Sequence, residues 1–382
     1  MIYLAIAFLI ALAIGEKLIS NGKGSPTFVT LILWATVLFL ASFYETYFYT
    51  ISNLTLLWIC SGCFSFFVGG LFSKIFVDFK VPSTQVRPVR QLFVIPIYII
   101  TAFLAINMIK EGLAVNSNFY IGLRIIINYG DPDAFFIAFG YMYYLIYPVF
   151  FISAAAYYND SLNKEAKRRF IFNFLFSIAY AIMATAKVKL LIIFITWICI
   201  RAYYKKNSTR LIIFSCLGFM AVFFLSLLAL NKLSEGNGII EVILSNIGNY
   251  TIANLYALDS LNFTTISSSY CINEGLDCII MPFYDIGYFH TNVYTIIYDF
   301  FDVGYIAYIL TMFVIGFLHN GLHKIAKRRK NSLIIIFSSI LYFPLVYQII
   351  NNQYTSSKYL VYLFGITYLF HFFRKRKVET LK

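Results

Sequence analysis

His290, Thr291, Asn292, Tyr294, Tyr298, Asp299 and Asp302 fall within thirteen residues, in the stretch FHTNVYTIIYDFFDVGYIAY. Side chains of these types can move a proton and hold hydroxyl groups. An imidazole with its ordinary pKa near ~6.5 is neutral and can accept a proton at neutral pH. Asp299 and Asp302 are three residues apart at the start of an expected helix, where the dipole favours their charged form. That weakens them as bases and suits them as acceptors from hydroxyls. His290 is therefore the expected base, Asp299 and Asp302 its alternates, and Asn292, Tyr294 and Asp302 the groups that position an acceptor hydroxyl. A structural reading competes with this one, in which the aspartates cap a helix and His290 packs in a loop.

Cations supply the complementary chemistry. Lys187 and Lys189 stand in MATAKVKLL, at the turn between two apolar segments that only 31 residues separate Arg169 from Arg201 to accommodate. A hairpin of that length gives arms of ~15 residues, or ~22 Å, against ~30 Å of hydrocarbon. The turn must then sit below the surface, and cations at membrane depth tend to mark an anionic ligand such as a lipid-linked phosphate. Snorkelling of both side chains to the interface competes equally with that reading. Arg124, in YIGLRIIINYGDPD, is a candidate for a bidentate phosphate contact or a headgroup anchor on an interfacial helix. Asp131-Pro-Asp133 beside it reads mainly as a turn.

The elements that must position these groups are set by composition. Of 382 residues, 60% are apolar, 20% aromatic and only 12% charged, which excludes a soluble globular domain. Charge-free runs predict eleven membrane spans (ten to twelve), near 2–15, 27–44, 54–73, 91–109, 134–158, 170–186, 188–200, 211–230, 303–320, 332–350 and 359–373. The expected fold is all-α, a single polytopic membrane domain over 1–382. Met1 opens into the first run without a basic region or cleavage site, so that run is expected to be retained.

The net charge of +13 follows the same topology. With a cytoplasmic C-terminus and an outside N-terminus, 24 of the 30 basic residues fall in inside loops. The excess is topological, and no nucleic-acid partner is expected. Acidic residues concentrate outside, eight of them in or beside 231–302, a connection of about 72 residues. A loop that long is usually functional. Its first part, GIIEVILSNIGNYTIANLYALDSL, has helical apolar spacing and predicts an amphipathic helix on the membrane or over a cavity. Cys271 and Cys278 follow, in a setting that favours a disulfide. Cys60 and Cys63 share a face inside a span. His319 and His323, spaced i, i+4, sit at the inner end of a span, where they and His371 are expected to be interfacial. No metal or cofactor is expected.

TNVYTIIYDFFDVGYIAY, MATAKVKLLIIF and NIGNYTIANLYALDSL together resemble the Wzy-type O-antigen (oligosaccharide repeat-unit) polymerases. The first is similar to that family's Asn-aromatic-Thr segment followed by acids and a Gly at the start of a span. The second resembles its Gly-Arg-Thr/Ser hairpin, with Lys187 and Lys189 where the family commonly has Arg. The third resembles the opening of its large periplasmic loop. The resemblance spans roughly 115–320 and implies the fold class shared with O-antigen ligases (GT-C-like), with 231–302 as the periplasmic loop. It implies a bacterial inner-membrane glycosyltransferase of lipopolysaccharide biosynthesis that joins undecaprenyl-pyrophosphate-linked repeat units at the periplasmic face. Donor and acceptor are then both lipid-linked oligosaccharides, the bilayer is a partner, and a chain-length regulator protein is a further one.

The reaction so implied needs cations on the departing pyrophosphate and a base at the acceptor hydroxyl. Arg124, Lys187 and Lys189 supply the first, and His290, Asp299 and Asp302 the second. An O-antigen ligase would use the same donor. A lipid-linked oligosaccharide flippase is the alternative of another class, though two similar halves, common in transporters, are not seen in the sequence.

Overall fold

The computed structural model describes residues 1–20, 24–45, 49–78, 88–129, 134–185, 187–205, 248, 251–261, 284–286, 289–291, 294–301, 303–354 and 359–372. Helices lie over ten of the eleven predicted apolar segments, and 211–230 falls outside the described residues. Among the described residues, five helical stretches are long and apolar enough to cross a membrane: Ile2–Ser20, Asn53–Phe76, Gln91–Val115, Ala134–Asn159 and Tyr305–Arg329. This is the build of a helical membrane protein. The chain divides into two compact units interleaved in sequence.

One unit holds Met1–Phe79, Gly238–Ile325 and Pro344–Ser357. It contains α1 (Ile2–Ser20), α2 (Pro26–Ser42), α3 (Asn53–Phe76), a short α10 (Ala253–Ser260) and most of α11 (Tyr305–Arg329). Lipid is as apolar as the helix faces, so such helices associate through close packing and interhelical hydrogen bonds. Here α3 and α11 approach along glycines. A Cβ on Gly69 would stand 2.1 Å from the Phe313 carbonyl oxygen, and one on Gly316 2.3 Å from that of Phe66. Ser65 donates to the Ile309 carbonyl at 2.6 Å. Asn320 donates to Thr27 at 2.8 Å, tying α2 to α11. α1 runs five residues past its predicted end and carries Glu16, fully buried, onto Lys74 of α3 and Ser25, the N-cap of α2.

Sequence spacing placed His319 at the inner interface; instead it is 3% exposed and its Nε2 lies 2.9 Å from the Tyr354 hydroxyl. The Gln348 carbonyl accepts from the backbone N–H of Ile296, nine residues before α11, whereas His319 lies fourteen residues, about 21 Å, along that helix. The non-helical chain after α12 (Ser332–Tyr347) therefore runs back alongside α11. Irregular backbone at membrane depth persists only where protein buries it. Gln348 and Asn352 are 2% and 1% exposed.

The other unit holds Lys80–Asn237, Ala326–Phe343 and Lys358–Lys382. It contains α4 (Gln91–Val115), α5 (Phe119–Tyr129), α6 (Ala134–Tyr141), α7 (Tyr143–Asn159), α8 (Lys164–Met183), α9 (Lys187–Tyr204), the start of α12, and α13 (Tyr359–Phe372). The single span predicted over 134–158 is thus two helices in line, broken at Met142. The predicted short hairpin is present: α8 ends at Met183, Thr185 turns the chain with φ of 51°, and α9 begins at Lys187. A β-branched residue in that left-handed region is strained, so the turn is held by its surroundings.

Candidate functional site

The break at Met142 sets up the cation site. A helix end leaves carbonyls without intrahelical partners, and within a membrane they must find others. The Tyr180 hydroxyl of α8 donates to the Phe139 carbonyl at 2.7 Å and lies 3.2 Å from that of Gly140. Lys189, in the first turn of α9, donates to the Gly140 carbonyl at 3.2 Å and to the Tyr180 hydroxyl at 3.3 Å. Its ammonium also lies 5.2 Å from the ring centre of Tyr143 and 5.3 Å from that of Tyr180, within cation–π range. Lys189 therefore does not snorkel. It is held by neutral groups, with no carboxylate paired to it among the described residues.

This placement runs against the helix dipole. The first turn of α9 contains Lys187 and Lys189 and no acid, although the N-terminus of a helix carries partial positive charge. Backbone N–H groups and cations gathered at one helix start form the arrangement that takes an anion. The side chain of Lys187 lies outside the described residues, as do Asp131 and Asp133.

Arg124 is placed by α5, which lies directly on α4. A Cβ on Gly122 would stand 2.0 Å from the Gly112 carbonyl oxygen, so both glycines are needed for that approach. Tyr120 and Leu123 are buried on the face of α5 turned to the protein while Ile125 and Ile127 remain exposed. Burial raises the pKa of the Tyr120 hydroxyl, and the Arg124 guanidinium one turn away partly offsets it. Arg124 is half-buried and makes no salt bridge among the described residues.

The other unit holds the acid–base candidates, around α10. The helix expected near 238–261, on the membrane or over a cavity, shows no exposed face in its described part: every residue from Ala253 to Asp259 is buried. Its polar residues explain why. Asp259 accepts from the Ser52 backbone N–H at 3.1 Å, the Ser52 hydroxyl at 2.6 Å and the Thr55 hydroxyl at 2.5 Å, capping α3 from outside. Tyr49 donates to the Tyr256 carbonyl at 2.9 Å, and Tyr256 to that of Ala41 at 3.1 Å.

Asn254 links α10 to the segment that begins at His290. It accepts from the Thr291 hydroxyl at 2.8 Å and donates to the Ile349 carbonyl at 3.4 Å. Thr291 ends strand β2 (Phe289–Thr291), which pairs antiparallel with β1 (Tyr284–Ile286). The register sets Asp285 opposite His290. Sequence reasoning missed Asp285; the signal was Gly287-Tyr288, a two-residue connection with Gly first, between aromatic-rich flanks.

Tyr294 is fully buried and stacked on Tyr298 at 4.6 Å. Asp299 lies in a 3-10 turn (Tyr298–Phe300), and Gly304, with φ of 99°, separates that turn from α11. The expected helix-cap position for Asp299 is thus corrected: α11 starts at Tyr305, beyond the glycine. Asn292 and Asp302 lie outside the described residues, as do Cys271 and Cys278 and the side chain of His290.

The Nε2 of Gln348 is buried without a hydrogen-bond partner. Together with Asn254, Thr291, Thr295 and Asn352, all 4% exposed or less, it makes this interior rich in neutral amides and hydroxyls. Such groups recognise hydroxyl-bearing ligands. Lys189 and Arg124, in the other unit, carry side chains of the type that pairs with anions. No protein-family model, characterised protein or solved structure matches the chain.

Proposed function

We propose that the protein is a repeat-unit polymerase of the Wzy type, joining undecaprenyl-pyrophosphate-linked oligosaccharides on the periplasmic face of the bacterial inner membrane. In this reading the chain crosses eleven times, with the N-terminus outside and the C-terminus in the cytoplasm, in the GT-C-like manner. The observation that carries it is Lys189, a cation at a helix start held by neutral partners alone. Arg124 and Lys187 complete the set for a pyrophosphate.

An acceptor hydroxyl attacks the anomeric carbon of the donor sugar, and the bond to undecaprenyl pyrophosphate breaks. The leaving group gains negative charge as it departs. Fixed cations and N–H groups stabilise that charge most where it develops. His290 takes the proton of the hydroxyl, with Asp299, Asp302 and Asp285 as alternates, while Asn292 and Asp302 hold the acceptor. The step consumes no nucleotide.

Deletion of the coding sequence tests the reading in cells. The polymerase predicts lipid A-core capped by a single repeat unit. Bare core would assign the ligase, and precursors trapped in the cytoplasm would assign the flippase.

A further inference from the structure

Two cavities flank the start of α4, inside the unit that holds Lys189. One, of about 220 Å³, is lined by Val89, Arg90, Phe93 of α4, Leu145 of α7, and Ile366, Leu369 and Phe370 of α13. The other, of about 380 Å³, lies against α4, α7 and α8, with Val94, Ile95, Val149 and Phe172 as apolar walls and Arg168 and Arg169 at one end. Val89 lines both. The surrounding surface is apolar and open: Leu92, Phe93, Ile95, Phe172 and Leu369 are each more than two-fifths exposed. From Val89 to Tyr98 the second cavity follows α4 for about 14 Å, the scale of an acyl chain.

Basic residues outnumber acids at this end, with Arg90, Arg168 and Arg169 against Glu165, which pairs with Arg169. Arg90 and Arg168 are exposed and make no ion pair among the described residues. Arg169 donates to the Val89 carbonyl at 3.0 Å and pairs with Glu165, while its Nε–H is buried without a partner. No side chain caps the N-terminus of α4, where Arg90 is the capping residue. A phosphodiester placed over Val89 would meet Arg90 on one side and Arg168 on the other, and a tail could descend on each side of α4.

We propose that this face is a binding site for an anionic glycerophospholipid of the surrounding leaflet, with its phosphate between Arg90 and Arg168 and one acyl chain in each cavity. A neutral zwitterionic lipid fits the cavities equally well but brings a cationic headgroup to Arg90 and Arg168, which no carboxylate offsets among the described residues. The site therefore selects by charge at the mouth and by shape below it. Neither cavity is lined by Gly140, Tyr143, Tyr180 or Lys189, and the proposal does not depend on what Lys189 binds.

The test uses the full chain in nanodiscs made from equal amounts of phosphatidylglycerol and phosphatidylcholine, transferred to mild detergent, with retained lipid identified by native mass spectrometry. The wild type should retain one phosphatidylglycerol preferentially. The double variant Arg90→Gln/Arg168→Gln should lose that preference by roughly 25-fold, from two arginines near a membrane surface. Ser153→Phe, which fills the larger cavity, should abolish retention with both arginines present. Lys164→Gln/Lys167→Gln removes the same charge from residues that line neither cavity and should leave retention unchanged. Equal retention of both lipids by the wild type, or the same loss from the lysine control as from the arginine pair, would overturn the proposal. Melting temperatures of the four proteins identify any variant that fails to fold, and for such a variant Arg90→Gln alone, expected to lose about fivefold, takes its place.

Discussion

The ammonium of Lys189 lies 3.2 Å from the carbonyl oxygen of Gly140, two residues before the helix breaks at Met142. The break exposes the carbonyl and the lysine satisfies it, so each feature accounts for the other. Tyr143 and Tyr180 close around the same ammonium. The ammonium is fixed by dipoles, with no carboxylate beside it among the described residues.

Lys189→Met keeps the length and apolar stem of the side chain and removes the charge. A charge-assisted contact is typically ~1.5–3 kcal/mol, so polymer formation should fall roughly ten- to a hundredfold with the protein still inserted. Arg124→Ala and Lys187→Ala should fall by similar factors. Polymer ladders of normal length and amount from all three variants, at normal expression, would remove the anion role from this end of the unit.

Asp259 holds α10 against the start of α3 through three donors. Asp259→Ala leaves Ser52 and Thr55 without their acceptor and should cost ~1–3 kcal/mol, read as a lower unfolding midpoint in a detergent titration. Asp259→Asn retains one oxygen acceptor and should fall between. An unchanged midpoint for the alanine variant would contradict the capping arrangement.

Glu16 and Lys74 meet at 2.6 Å, with Glu16 wholly buried and Lys74 24% exposed. Removing one partner of such a pair commonly costs ~3–5 kcal/mol because the other is left uncompensated, while replacing both can be neutral. Glu16→Gln should therefore destabilise strongly, and Glu16→Gln/Lys74→Met should recover most of the loss. Additive losses in the double variant would show that the two do not act as a pair.

What the sequence made legible was whatever rests on local pattern. The apolar runs marked the helices, and the spacing from Arg169 to Arg201 required the short hairpin that α8 and α9 form. A helix carrying Arg124 followed from the apolar and aromatic residues around it. Long-range partners were invisible: Glu16 is 58 residues from Lys74, and Tyr354 is 35 from His319. Apolar spacing in 238–261 suggested a helix with one wet face, because pattern alone could not show that Ser52 and Thr55 would take up Asp259. The break at Met142 was hidden because both halves are equally apolar, and a span reads the same with or without an interruption.

The base is assigned by two separate substitutions, His290→Gln and Asp302→Asn, with Asp285→Asn added because the β register sets Asp285 opposite His290. Loss of a general base commonly costs 10²–10⁴-fold. His290→Gln should show that loss, with Asp285→Asn weaker. Ladders that survive His290→Gln and vanish with Asp302→Asn, both proteins being stably inserted, would move the role to the aspartate.

Purified protein given synthetic undecaprenyl-pyrophosphate-linked repeat units, with the products separated by length on a gel, reads polymerisation itself. A ladder of lipid-linked oligomers rising by one repeat unit should form without nucleotide and be nearly absent with Lys189→Met. A wild-type reaction that leaves the repeat units unjoined, or transfers them only when lipid A-core is supplied, would contradict the polymerase reading.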